Sequence, residues 1–127
     1  MISDMYSEYL LEHAHAPQNK MVLQPCACHT SVINEGCADT LELYMNVNEN
    51  KITSVSFEGT LCALSTASAS LFTEFLKNKS LDEVRLLTPG SVYTLLGVTI
   101  TESRTRCVLL CYQALQKSLS TCFPLQK

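Results

Sequence analysis

Four residues sit where a chain can do metal or sulfur chemistry: Cys37, Asp39, Cys62 and Cys107. Cys37 lies in Gly36-Cys37-Ala38-Asp39, in a loop that feeds an alternating segment. Cys62 lies where that alternation gives way to helical periodicity, and Cys107 near the start of the last helical stretch. All three cysteines fall at the ends of elements, where loops expose side chains on a rigid frame. Helix starts favour negative charge, and thiolate is the form that binds metal and attacks sulfur donors. Asp39 follows Cys37 by two residues, so in an extended segment both side chains point the same way. Three thiolates and one carboxylate suit a tetrahedral zinc site, or cluster iron held less tightly than by four thiolates. The spacing does not single out either: 24 residues separate Cys37 from Cys62 and 44 separate Cys62 from Cys107, and neither is a short zinc-finger spacing.

Seven cysteines in 127 residues is a high count. An odd number without a secretory leader argues against a disulfide framework, and in a reducing cytosol such residues bind metal, carry sulfur or fill core space. Cys26-Ala27-Cys28-His29 is readable as a second metal or redox fragment; a strand with incidental cysteines is the favoured reading. Cys111, four residues after Cys107, shares its helical face and is expected to be a small buried hydrophobe rather than a spare sulfur acceptor. Cys122 lies in the tail and is expected to be incidental. His13 and His15 suit the end of a helix as cations, not as ligands. Arg104 and Arg106 either lie in solvent or stabilise negative charge beside the thiolates.

The elements that must position these groups can be read from the pattern. Residues 3–15 read as a first helix, capped by Ser3 or Asp4 and stopped at Pro17. From Thr40 the alternation is clean, with Leu41, Leu43, Met45 and Val47 on one face and Glu42, Tyr44 and Asn46 on the other. Asn48-Glu49-Asn50-Lys51 reads as a tight turn, and Thr53, Val55 and Phe57 share a face of the returning strand. A further strand around Cys28 to Ile33 completes a small antiparallel meander. From Cys62 to Lys77 the period is helical, and its first half is rich in alanine, serine and threonine, which suits close helix packing. Ser80-Leu81-Asp82-Glu83 reads as a capping box. Thr88-Pro89-Gly90 breaks that helix, Ser91 to Leu96 forms a turn or two more, and a last helix runs from Ser103 or Arg104 to about Leu119.

Composition excludes several classes. Net charge is −3 with scattered basic residues, so a nucleic-acid partner is not expected. No apolar run approaches the roughly 18 residues that span a bilayer, and the first residues lack the basic start and apolar core of a leader. The expectation is a cytoplasmic chain of one domain, residues 1–127, that does not act on a membrane.

From about Tyr6 to about Leu115 the chain resembles the iron–sulfur cluster assembly scaffolds, the family of IscU, SufU and the N-terminal part of NifU. Tyr6-Ser7-Glu8 to Pro17 resembles the opening helix of that family, and Gly36-Cys37-Ala38-Asp39 its first ligand motif, usually Cys-Gly-Asp. Lys51-Ile52-Thr53 through Phe57-Glu58-Gly59 resembles the strand that leads to the second cysteine. Cys62-Ala63-Leu64-Ser65-Thr66-Ala67-Ser68-Ala69-Ser70 resembles that cysteine and its helix. Arg104-Thr105-Arg106-Cys107 followed by Leu110 resembles the third cysteine segment. Ala38 and Leu61 stand where the family usually has glycine. Arg106 stands where the IscU type has histidine and the SufU type lysine or arginine. The Leu-Pro-Pro-Val-Lys segment of the IscU type is absent, which argues against a dedicated Hsp70 partner, and so is the insertion typical of the SufU type.

The resemblance implies an α+β fold, a three-stranded antiparallel sheet packed against about four to five helices. It implies that Cys37, Asp39, Cys62 and Cys107 hold a transient [2Fe–2S] cluster or Zn2+, with Asp39 the labile ligand. Sulfur would arrive as persulfide from a cysteine desulfurase, with Cys107 a candidate acceptor, and clusters would pass to apo iron–sulfur proteins. On this reading the chain is a scaffold without turnover of its own. The alternatives are a zinc-dependent sulfurtransferase of the SufU kind, or a zinc staple with no transfer role.

Overall fold

The computed structural model describes residues 8–36, 38–97 and 99–125. Three strands, β1 (Cys28–Asn34), β2 (Asp39–Asn48) and β3 (Lys51–Glu58), form one sheet in the order β1-β2-β3, antiparallel throughout. The α+β expectation holds, and the pattern explains it. Leu41, Leu43 and Met45 are wholly buried on one face of β2 with Phe57 beside them on β3, as period-two alternation requires. The β2–β3 connection is a two-residue turn in which Glu49 (φ 52°) and Asn50 (φ 66°) are both left-handed, matching the twist of the flanking strands.

Two positions depart from simple alternation. The register shifts between Asn46 and Val47, so Val47 pairs with Ile52 while Asn46 pairs with Ser54. Thr53 is the extra residue of a bulge. It turns out to solvent and Ile52 takes the buried place, so Thr53 does not share the face of Val55 and Phe57. Tyr44, on the face away from the helices, is also buried. Lys20 pairs in parallel with Phe57 at the β3 edge, and Ala27 N–H donates to the Met45 carbonyl at 3.0 Å. The segment between them therefore crosses the sheet over Tyr44, and the Asn46 amide holds it by donating to the Pro25 carbonyl at 3.0 Å.

Six α-helices lie among the described residues: α1 (Glu8–His15), α2 (Ala63–Leu76), α3 (Leu81–Arg85), α4 (Pro89–Leu96), α5 (Thr105–Val108) and α6 (Leu110–Thr121); α2 and α6 pack on the other face of the sheet, and α1, α4 and α5 pack on α2. The expected cap at Ser3 or Asp4 lies outside the described residues. Ser80 and Glu83 close a capping box on α3. Pro89 ends nothing; it occupies the first turn of α4, where its missing N–H has no intrahelical partner to lose. Gly97, left-handed at φ 70°, closes that helix.

The last helix is the largest correction. A 3-10 turn (Glu102–Arg104) leads into α5, and the helix is interrupted at Leu109 (φ −96°, ψ 1°) before α6 begins. The hydroxyls of Ser65 and Ser68 on α2 donate to the carbonyls of Cys107 (3.0 Å) and Val108 (2.6 Å), the last residues before the break. The serine-rich face of α2 thus supplies buried carbonyls with donors, besides letting neighbours approach. Ser70 ties α1 and the segment after it to α2 differently: its Oγ meets His13 Nδ1 at 2.6 Å and accepts the Gln18 N–H at 2.8 Å.

Two cysteines expected to be incidental are joined. Cys28 at the start of β1 and Cys122 at the end of α6 form a disulfide with their Cα atoms 6.0 Å apart. Tertiary packing of α6 on β1 brings them together, although 94 positions separate them in sequence.

Candidate metal centre

Asp39 opens β2, Cys62 caps α2 and Cys107 is the third residue of α5. One carboxylate oxygen and the two sulfurs lie within 4.8 Å of one another, with Asp39 and Cys107 buried and Cys62 half-buried. Cys37 lies outside the described residues.

Local sequence dictates the convergence. Gly59 has φ 142°, and a Cβ there would stand 2.0 Å from the Thr40 carbonyl oxygen, so only glycine permits this close approach. The next residue is laced to the same strand: Thr40 N–H donates to the Thr60 carbonyl at 2.9 Å, and Thr60 N–H meets Thr40 Oγ1 at 3.3 Å. The chain leaving β3 is thereby held against the start of β2, which brings Cys62 to Asp39. Cys62 Sγ then accepts the Ser65 N–H at 3.4 Å as a helix cap, at an end that favours negative charge.

The parity expected for Cys37 and Asp39 lies outside the described residues. Ala38 is left-handed at φ 63°, and the direction of Asp39 comes from the register of β2, where it pairs with Asn34.

Sequence reasoning missed two residues of the site. Ser65 Oγ lies 2.8 Å from Asp39 Oδ2, 3.0 Å from the Cys107 carbonyl and 3.3 Å from Cys62 Sγ. The Cys62 N–H also reaches Asp39 Oδ2, at 3.4 Å. Asn34 at the end of β1 receives the Gly36 N–H on Oδ1 at 3.1 Å and directs Nδ2 at Cys107 Sγ, 4.0 Å away. A serine three residues after a cysteine at a helix start was the available signal for Ser65; none marked Asn34. A cleft of about 420 Å³ opens beside Cys107, lined by Asn34, Gly36, Glu102, Ser103, Thr105 and Arg106. Arg106 is exposed there and Arg104 is exposed too.

The other candidates do not join this group. Cys28 is in the disulfide, while His29 meets Glu42 at 2.5 Å and stacks on Tyr44 with ring centres 4.5 Å apart, so Cys26-Ala27-Cys28-His29 makes no shared metal site. Cys111 is buried, and that burial pushes its thiol up to about 12, which suits a core side chain and not a sulfur nucleophile. The donor set at Asp39, Cys62 and Cys107 fits a borderline-soft ion such as zinc or iron. No described helix is long and apolar enough to cross a membrane.

The α+β frame brings two thiols and a carboxylate to one place, from a sheet start, a helix cap and a broken helix. The profile of the NifU-like N terminal domain matches residues 5–124, and the chain belongs to that family. It is similar to the iron–sulfur cluster assembly scaffold protein IscU 1 of Archaeoglobus fulgidus, at 28% identity over 115 residues, covering 91% of this chain and 74% of that protein. It is also similar to the zinc-dependent sulfurtransferase SufU of Bacillus subtilis, at 25% identity over 136 residues, covering 94% of this chain and 92% of that protein. Among solved structures, the N-terminal NifU-like protein from Brucella abortus superposes with a TM-score of 0.76, covering 92% of this chain and 93% of that one. At 21% identity that likeness speaks for the fold.

Proposed function

We propose that this chain is an iron–sulfur cluster assembly scaffold. It receives sulfur from a cysteine desulfurase, assembles a labile cluster on Cys37, Asp39, Cys62 and Cys107, and passes it to apo iron–sulfur proteins. The observation that carries this reading is the meeting of Asp39, Cys62 and Cys107 within 4.8 Å in a chain whose family includes IscU-type scaffolds. The cluster is cargo, so the site must hold it and let it go. Thiolates suit cluster iron, and a carboxylate in place of a fourth thiolate is the ligand most readily exchanged. Cys37 supplies the remaining sulfur.

Reconstitution of the full chain with iron and sulfide in the absence of oxygen tests the reading. A [2Fe–2S] absorption spectrum with matching iron and sulfide is expected, and it disappears in Cys37→Ala/Cys62→Ala/Cys107→Ala. A triple variant that holds as much iron and sulfide as the parent overturns it.

One observation favours a second reading, a zinc-dependent sulfur acceptor of the SufU kind: Cys107 faces a cleft that carries Arg106, a cation suited to a persulfide's negative charge. Tight stoichiometric zinc and loss of desulfurase stimulation in Cys107→Ala would support it. Unchanged stimulation in that variant rules it out.

A further inference from the structure

Ser65 touches every described member of the metal centre. Its side chain is buried, with 1% of the residue exposed, so water does not substitute for any of its partners. Its hydroxyl has one proton to give and two acceptors in reach, Asp39 Oδ2 at 2.8 Å and the Cys107 carbonyl at 3.0 Å. The same oxygen can accept from the Cys62 thiol at 3.3 Å, and the Ser65 backbone N–H points at that sulfur at 3.4 Å. Asp39 Oδ2 is thus held by two groups of one helix start, the Ser65 hydroxyl and the Cys62 N–H. A carboxylate gripped through one oxygen keeps a fixed plane and leaves its other oxygen to face an ion.

We infer that Ser65 is the positioning residue of this site: its hydroxyl sets the Asp39 carboxylate, the Cys62 sulfur and the backbone of Cys107 for one metal ion. The inference rests on reading Asp39, Cys62 and Cys107 as metal ligands. Partners of this kind orient the ligands and fix the geometry, and their removal typically weakens metal binding by about 10- to 100-fold. In the thiol form Cys62 donates a hydrogen bond to the Ser65 hydroxyl oxygen. Once metal displaces the thiol proton, the hydroxyl keeps its role toward Asp39 while the backbone N–H serves the sulfur. Ser65 therefore holds the site in shape both with and without an ion.

Co2+ alone, added to the full-length chain without oxygen, is the probe, because its visible bands report ligand geometry. Ser65→Ala should bind Co2+ about 10- to 100-fold more weakly in chelator competition, with shifted d–d bands. Ser65→Thr, which keeps the hydroxyl, should restore both. The loss in Ser65→Ala should shrink in an Asp39→Ala background, since two residues acting through one another are not additive. Ser65→Ala that lowers thermal stability but leaves Co2+ affinity and bands at parental values makes Ser65 a structural contact and overturns the inference. A parent chain that binds no Co2+ instead overturns the metal-site reading beneath it. A second variant guards against a Ser65→Ala that fails to fold: the Ser65 hydroxyl proton, shielded from exchange in the parent, should shift in the NMR spectrum of Asp39→Ala. A resonance indifferent to Asp39 overturns the inference as well.

Discussion

The backbone of Gly59 lies so close to Thr40 that a Cβ on it would come within 2.0 Å of the Thr40 carbonyl oxygen. Thr40 follows Asp39 directly, and Gly59 precedes Cys62 by three residues, so this approach sets the distance between two of the candidate ligands. Its φ of 142° is also one that L side chains rarely adopt.

Gly59→Ala should therefore damage fold and site together. Strain at that φ and the clash with a backbone atom cost about 2–4 kcal/mol in sum. Urea denaturation of the metal-free chain reads the loss of stability. Under conditions where the variant remains folded, its Co2+ affinity should still fall, because Cys62 has been displaced from Asp39. Parental stability in Gly59→Ala would show that the β3–α2 connection is less constrained than its geometry implies.

The disulfide offers a second test. A bond between Cys28 and Cys122, 94 positions apart in a chain of 127 residues, closes most of the chain into one loop, and removing a native cross-link typically costs about 2–4 kcal/mol. Non-reducing peptide mapping should recover the Cys28–Cys122 pair. Reductant should lower the urea midpoint of the parent, and Cys122→Ser should lower it similarly while becoming insensitive to reductant. A parent whose midpoint ignores reductant would contradict a stabilising cross-link.

Ala38 supplies a third. It occupies a left-handed conformation at φ 63°, which costs a residue bearing a Cβ about 1–2 kcal/mol. Ala38→Gly removes that strain but adds freedom to the unfolded chain, worth about 0.4–1 kcal/mol in the other direction. The balance is a variant more stable by about 0.5–1 kcal/mol, seen as a higher urea midpoint with an unchanged slope.

How much of this was legible from sequence depended on the range of the forces involved. The β2–β3 hairpin was readable because its alternation and its Asn48–Lys51 turn are local. So was the Ser80 capping box. The bulge at Thr53 was not, because one inserted residue exchanges the faces of Ile52 and Thr53 without disturbing composition. The break at Leu109 was hidden for a different reason. No proline or glycine marks it, and its carbonyls are served by Ser65 and Ser68 from about 40 residues away. The pairing of Cys28 with Cys122 was likewise set by how α6 packs on β1. Asp39, Cys62 and Cys107 were legible as candidates because chemistry restricts which residue types can bind metal, and the fold brings them within 4.8 Å of one another. Asn34 and Ser65 escaped because amides and hydroxyls occur everywhere and gain meaning only from what they touch.

Cys111 gives a prediction in pH. Burial pushes its thiol from the ordinary value of 9.0 up to about 12, so the folded chain keeps this proton where the unfolded chain releases it. Between those values the unfolded state binds fewer protons, and stability must fall as pH rises. The contribution is complete below pH 9.0 and is lost progressively up to about pH 12. Each unit of that window is worth at most about 1.4 kcal/mol. Tyr44, raised by burial and by the charges of Glu42 and Glu58, pulls in the same direction, so the parent alone cannot assign the effect. Cys111→Ala isolates it. The variant should be less stable than the parent at pH 8, from the lost packing of a core side chain, yet lose less stability on moving to pH 10.5. Urea unfolding of both chains at the two pH values measures the four free energies needed. Equal losses in parent and variant would mean that the Cys111 thiol reaches solvent before the chain unfolds.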